Sequence, residues 1–87
     1  MKVYLDNNAT TKVDEEVVKA MLPYFSEYYG NPFSLHLFGA ETGKAVSEAR
    51  QTIADILKAK PSEIIFTASG SEADNLAIRG IAKAYKH

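Results

Sequence analysis

The chain has 87 residues, which leaves room for at most one small domain. Its net charge of −1 gives no electrostatic reason to expect nucleic acid or an anionic membrane as a partner. Because it contains no cysteine, the chain itself cannot form a disulfide, use a thiol in catalysis or bind zinc through cysteine.

The first residues, Lys2 to Leu5, predict a short strand that ends where the sequence turns polar at Asp6. This apolar stretch is too short for a signal peptide. No later apolar run is long enough to span a bilayer, so we expect a cytoplasmic protein with no membrane partner.

The residues Asp6 to Thr11 are all small, polar or turn-forming, and they predict a loop. Such a loop can hold a substrate through backbone and side-chain hydrogen bonds. It can equally be a solvated connection in which Thr10 and Thr11 form local turns with the backbone.

A helix is predicted to open at Asp14, with acidic residues in its first turn where they suit the helix dipole. Pro23 interrupts this pattern, so we expect a kink or break near Leu22 and a second short turn that continues to Tyr29. The sequence Gly30-Asn31-Pro32 is a stop signal for that helix.

The following loop contains His36 among apolar residues, a setting more typical of a packed core histidine than of a catalyst. Aromatic residues are dense around it, and they suggest either a contact with another domain or subunit or an ordinary core. The six aromatic residues are Tyr24, Phe25, Tyr28, Tyr29, Phe33 and Phe38. A long amphipathic helix is then predicted from Gly39 to Leu57.

The last part of the chain reads as a strand, a tight loop and a helix. The run Glu63 to Thr67 predicts a strand buried on both faces. Ser69 and Glu72 have the spacing of a capping box, which puts the start of the helix at Ser69. The apolar stripe of this helix consists of Ala73, Leu76, Ala77, Ile81 and Ala84, with Gly80 on the same face.

This helix start is a candidate anion site, because the first-turn amides of a helix have no intrahelical partners and lie at the positive end of its dipole. Gly70 has no side chain to keep a ligand away, and Ser71 adds a hydroxyl, so together they can hold a phosphate. From this pattern alone, plain capping is the commoner explanation. Nearby acidic residues favour a single phosphate monoester over a polyphosphate, and no metal site is predicted.

Two predicted strands rarely make a self-sufficient sheet, and no disulfide or metal supports so small a core. The sequence is therefore interpreted as the opening piece of a larger α/β protein.

Four groups of motifs follow one another along the chain: Tyr4 to Thr11, Tyr29 to Pro32 with Ser34 and His36, Phe66-Thr67, and Ser69 to Ile78. Their order resembles that of the cysteine desulfurases, members of the class V aminotransferase group of fold type I pyridoxal-phosphate enzymes. The similarity covers essentially the whole chain and corresponds to the N-terminal portion of the family.

The resemblance implies an α/β fold, the N-terminal part of the three-layer α/β/α large domain, which is incomplete in this chain. Residues 1–13 would form an extended arm and loop, and residues 14–87 would supply helices and the first sheet strand. It further implies that Gly70 and Ser71 contact the phosphate of pyridoxal 5′-phosphate, although many relatives have threonine at the second position. Substrate-proximal residues would be Asn8, Ala9, Thr10 and His36.

The family converts L-cysteine to alanine and leaves a persulfide on the enzyme, for iron–sulfur cluster or thio-cofactor synthesis with a sulfur-acceptor or scaffold protein. The complete enzyme is expected to be a homodimer. The catalytic residues of the family lie beyond the matched segment, so none is assigned here and the chain alone is expected to be inactive. The alternatives are another class V enzyme, such as a selenocysteine lyase or an aminotransferase, and a non-catalytic module that binds a partner.

Overall fold

The computed structural model describes residues 1–86, and His87, the last residue of the predicted segment, lies outside them. The chain divides into two compact units, one of residues 1–49 and one that starts at Arg50. No helix in the described part is long and apolar enough to cross a membrane. The helices are α1 (Glu15–Met21), α2 (Pro23–Ser26), α3 (Leu37–Leu57) and α4 (Gly70–Ala84), with a 3-10 turn at Pro61–Glu63.

The two short helices of the first unit are divided by a proline, as the sequence predicts. Asp14 caps α1, and its Oδ1 atom accepts a hydrogen bond from the Glu16 amide at 2.8 Å. Pro23 is the first residue of α2, a position where its missing amide hydrogen costs nothing. The prediction that the second turn continues to Tyr29 is wrong, because α2 ends at Ser26 and only a closing turn follows.

The start of α3 is held by the preceding loop and lies at Leu37, two residues before the predicted Gly39. Gly39 is buried, and a Cβ atom at this position would lie 2.6 Å from the Asn31 carbonyl oxygen. Thr42 is also buried, and its hydroxyl lies 3.1 Å from the carbonyl oxygen of Gly39. The missing side chain of Gly39 therefore allows the loop to cross the first turn of the helix.

The aromatic residues between Tyr24 and Phe38 are exposed, the least exposed being Tyr28 at 43%. Tyr29 and Phe38 stack with their ring centroids 6.3 Å apart, and the other ring pair of this set joins Tyr24 and Tyr28 at 5.8 Å. These local pairs do not shield the rings from solvent. The alternative that these residues form an ordinary core is therefore wrong for residues 1–86.

The C-terminal end of α3 is a Schellman motif built on a lysine. Lys58 adopts a left-handed conformation with φ of 54°, which glycine usually supplies. The Ala59 amide donates to the Ala54 carbonyl oxygen at 2.8 Å, and the Lys58 amide donates to Asp55 at 3.2 Å. These bonds satisfy two helix-end carbonyl groups and turn the chain toward Pro61.

Neither predicted strand, Lys2–Leu5 nor Glu63–Thr67, forms within residues 1–86. Glu63 belongs to the 3-10 turn, and the chain becomes extended at Ile64 with φ of −95° and ψ of 123°. The prediction of burial on both faces is also wrong, since Phe66 is 46% exposed. A strand is defined by hydrogen bonds to a neighbouring strand, and an extended segment without a neighbour cannot form them.

Arg50 holds the extended segment in place within the second unit. Its guanidinium Nη1 atom donates a hydrogen bond to the carbonyl oxygen of Ile64. The same group lies 4.7 Å from the centre of the Phe66 ring, which is a cation–π contact. Arg50 therefore contacts both the backbone and a side chain of this segment, within the unit that also contains α4.

Replacing Arg50 with alanine is expected to lower the free energy of local opening of the extended segment by about 1–2 kcal/mol, because a charged hydrogen bond and a cation–π contact are lost. Hydrogen exchange of the peptide that covers residues 64–68 should become about tenfold faster. Arg79→Ala is the matched control, because Arg79 is exposed on α4. Equal exchange rates in the two variants would contradict the assigned role.

One face of α4 and the extended segment before it line an open apolar groove of about 470 Å³. The groove contains most of the stripe that the sequence predicts for this helix. Its lining residues are Glu63, Ile65, Thr67, Ala73, Leu76, Ala77, Gly80 and Ile81.

Candidate functional site

The candidate site lies at the N-terminus of α4, where the sequence predicts it. The helix begins at Gly70, and the N-cap residue is Ser69, whose backbone is extended with φ of −160° and ψ of 162°. The Ser69 hydroxyl oxygen accepts a hydrogen bond from the Glu72 amide at 3.2 Å. The predicted helix start is therefore confirmed, and one of the four first-turn amides is satisfied by the cap.

Glu72 completes the cap in a different way from the predicted capping box. Its carboxylate accepts a hydrogen bond at 3.0 Å from the amide of Ala68, one residue before the N-cap. The Thr67 hydroxyl donates to the Ser69 carbonyl oxygen at 3.0 Å. Thr67 and Ala68 thus fix the loop before the helix, a role that the Ser–Glu spacing alone does not indicate.

Two amides and one hydroxyl stay available at this helix end. The amides of Gly70 and Ser71 donate no hydrogen bond within residues 1–86, and the Ser71 hydroxyl has no partner there either. The Asn75 side chain donates to the Ser71 carbonyl oxygen at 2.8 Å, which holds the first turn without using those donors. These donors are therefore available to an external acceptor.

Gly70 leaves the approach to these donors open. A Cβ atom at this position would meet no atom within 4 Å, so the glycine is not required by packing of the described residues. Because Gly70 has no side chain, it cannot itself cover the free amides. Two amide donors, a hydroxyl and the positive end of a helix of 15 residues fit a phosphate monoester.

The predicted substrate loop belongs to the first unit, and it forms an ordered turn. The Asp6 carbonyl oxygen accepts hydrogen bonds from the amides of Ala9 at 3.0 Å and Thr10 at 3.3 Å. The Thr11 hydroxyl donates to the Asn7 carbonyl oxygen at 3.2 Å. The structure thus gathers Asn8, Ala9 and Thr10 into one exposed turn.

His36 precedes the first residue of α3 and is exposed. Its ring lies edge-on to Phe38, with the ring centroids 6.1 Å apart. Its carbonyl oxygen accepts a hydrogen bond from the Ala40 amide at 3.1 Å. The interpretation of His36 as a packed core histidine is therefore wrong for the described residues, and its imidazole is accessible to a ligand.

Comparison with known proteins gives consistent matches over nearly the whole chain. Residues 3–87 match the family described as aminotransferase class-V. A cysteine desulfurase of Trichormus azollae is 61% identical over 77 residues, which cover 88% of this chain and 19% of that protein. Cysteine desulfurase NifS of Azotobacter vinelandii is 55% identical over 83 residues, 94% of this chain and 21% of that protein.

A solved structure of a NifS-like protein is similar to this chain. It superposes with a TM-score of 0.91 at 41% sequence identity, over 99% of this chain and 24% of the other. The chain spans about a fifth of the length of the curated relatives that it matches.

Proposed function

Since the chain belongs to the aminotransferase class-V family, we propose that it forms the N-terminal part of a pyridoxal-phosphate-dependent cysteine desulfurase. The observation that carries the proposal is the open N-terminus of α4, where Gly70 and Ser71 present free donors. These two residues lie in a segment that is 61% identical to a protein named cysteine desulfurase.

In this proposal the Gly70 and Ser71 amides and the Ser71 hydroxyl bind the phosphate of pyridoxal 5′-phosphate. The cofactor, when bound, supplies an electron sink for reactions at the substrate α-carbon. The contribution of this chain is to anchor one end of the cofactor and fix its position. The cap formed by Ser69 and Glu72 supports that role because it holds the first turn rigidly without using the donors.

We assign residues 1–13 to an extended arm and loop, and residues 14–87 to helices and the first sheet strand of the three-layer α/β/α large domain of fold type I enzymes. The extended backbone at Ile64 and the open groove beside α4 support this assignment. Both are as expected for a segment whose neighbouring strands belong to the rest of the fold.

The proposed substrate is L-cysteine, bound near Asn8, Ala9 and Thr10 with His36 at the rim of the site. The ordered turn and the exposed imidazole support this placement. We further propose that the complete enzyme is a cytoplasmic homodimer that passes sulfur to an acceptor or scaffold protein for iron–sulfur cluster assembly. The family residues that carry out the chemistry lie outside the matched segment, so the chain by itself is proposed to be inactive.

A chimera tests the proposal without requiring the chain to act alone. In it, this chain replaces the matching segment of the Azotobacter vinelandii relative, to which it is 55% identical. We expect the chimera to form alanine from L-cysteine at a rate within about tenfold of the parent protein, since the replaced segment supplies cofactor contacts. A chimera that folds and binds cofactor but does not act on cysteine would contradict the proposal. Preference for selenocysteine would favour the selenocysteine lyase alternative.

The cofactor contact is tested by Ser71→Ala in the chimera. Loss of one hydrogen bond to a charged group should weaken pyridoxal phosphate binding by about tenfold, measured by equilibrium dialysis. Ser71→Thr should retain binding because it keeps the hydroxyl. Ser47→Ala, an exposed serine of α3, is the matched control. Unchanged affinity in Ser71→Ala would remove Ser71 from the site.

A further inference from the structure

The hydroxyl group of Tyr4 connects two parts of the turn that carries Asn8 to Thr10. It lies 3.0 Å from the carbonyl oxygen of Asp6, to which it donates a hydrogen bond. It also lies 2.5 Å from the side-chain oxygen of Thr10. Tyr4 thus directly contacts Thr10, a residue proposed to lie near the substrate, although Tyr4 lies six positions earlier in the chain.

The direction of these hydrogen bonds follows from the number of protons. A carbonyl oxygen only accepts, so the single hydroxyl proton of Tyr4 is used toward Asp6. The second contact therefore forms only if Thr10 donates its own proton to the Tyr4 oxygen. With its proton committed, the Thr10 oxygen can act toward any other group only as an acceptor.

We propose that Tyr4 is a positioning residue that holds the Thr10 hydroxyl as a hydrogen-bond acceptor for a donor group of the amino-acid substrate, its ammonium or thiol. This inference rests on the proposed function, which places Thr10 near the substrate. It goes further because it names the residue that orients Thr10 and the polarity of the contact. A carboxylate, which has no proton to donate, is not recognised by this group.

The turn does not depend on Tyr4 for its shape. The Asp6 carbonyl oxygen also accepts hydrogen bonds from the amides of Ala9 and Thr10. Neither bond involves the Tyr4 hydroxyl, so we expect both to persist when that hydroxyl is removed. Tyr4→Phe therefore changes the state of the Thr10 hydroxyl and leaves the backbone of the turn intact. In this variant the Thr10 hydroxyl has lost its acceptor and rotates freely. Its proton then competes with the donor group of the substrate for the same space.

The test is the kinetics of Tyr4→Phe in the active chimera. We expect KM for L-cysteine to rise about fivefold, the value of one neutral hydrogen bond, with kcat changed by less than about twofold. Tyr85→Phe is the matched control, because Tyr85 is exposed and its hydroxyl has no partner within residues 1–86. Hydrogen exchange over residues 6–11 should be the same in Tyr4→Phe and in the unsubstituted chimera.

A double-mutant cycle separates positioning from a general structural role. If Tyr4 acts through Thr10, then Tyr4→Phe should add no further rise in KM to Thr10→Val, whereas Thr10→Ser should restore the dependence on Tyr4. An unchanged KM in Tyr4→Phe, or additive effects in the cycle, would overturn the inference while the proposed function stands. An unsubstituted chimera that folds and binds cofactor but has no desulfurase activity would overturn both.

Discussion

Replacing Gly70 with aspartate is expected to lower the affinity of the chimera for pyridoxal phosphate by about 100-fold or more. A carboxylate at this position lies close to the free amides of Gly70 and Ser71, and the added Cβ would meet no atom within 4 Å apart from its chain neighbours and its own helix turn. At a separation of about 5 Å and an effective dielectric constant of about 20, the carboxylate charge and each negative charge of the phosphate repel each other by about 3 kcal/mol. The same carboxylate suits the first turn of a helix, so folding should not suffer.

Two comparisons make this prediction specific to the phosphate. Gly70→Asn has nearly the same shape without the charge, and it should cost about tenfold less than the aspartate substitution. Pyridoxal lacks the phosphate, so its binding should differ little between Gly70→Asp and the unsubstituted chimera. Equilibrium dialysis with both ligands measures these differences. Equal losses for both ligands would show that the phosphate does not bind at Gly70, whereas equal losses for aspartate and asparagine would show that the added side chain acts through its size and not its charge.

The start of α4 could be predicted because its causes are local in sequence. Ser69 and Glu72 lie within one turn of the helix, so their spacing alone indicates the cap, and Gly70 and Ser71 follow as its first residues. The amide that donates to the Glu72 carboxylate was not predictable, because Ala68 is recognised as the donor only once the loop conformation is known.

Features that depend on distant partners were predicted less well. The segment Glu63–Thr67 has a strand-like composition, but the strands that would pair with it are not among the described residues, so only its extended backbone appears. Arg50 contacts this segment from 14 positions away at Ile64, and no local pattern indicates such a contact. The exposed aromatic residues likewise show that the hydrophobic composition of a segment does not specify which surface its side chains pack against.

The loop proposed to lie near the substrate, Asp6 to Thr11, falls between these two cases. Its turn-forming composition predicts the bend at Asp6 to Thr11, and the backbone hydrogen bonds confirm it. The contact between Tyr4 and Thr10 could not be predicted in this way, because Tyr4 lies in the segment expected to be a strand. A residue in a predicted strand is expected to pair through its backbone, whereas here the side chain makes the contact.

Gly39 is one of two glycines in the first unit where an added methyl group would lie far inside van der Waals contact with backbone atoms, the other being Gly30 beside Phe38. In Gly39→Ala the Cβ atom would lie 2.6 Å from the Asn31 carbonyl oxygen and would also meet the carbonyl oxygen of Ser34. Both neighbours are backbone atoms, so overpacking should cost about 3 kcal/mol, of which the higher helix propensity of alanine offsets up to about 1 kcal/mol. The net result should be a first unit about 2 kcal/mol less stable near the start of α3.

Hydrogen exchange of the peptide that covers residues 37–49, measured in the chimera, should therefore become about 30-fold faster in Gly39→Ala. Gly43→Ala is the matched control on the same helix, since its Cβ would meet only the Pro32 carbonyl oxygen at 3.3 Å. The control should be neutral or slightly protective, because the gain in helix propensity is opposed by one contact that a small shift relieves. Equal exchange in the two variants would mean that the loop can move off α3 without cost, and the close approach at Gly39 would then not determine where the helix begins.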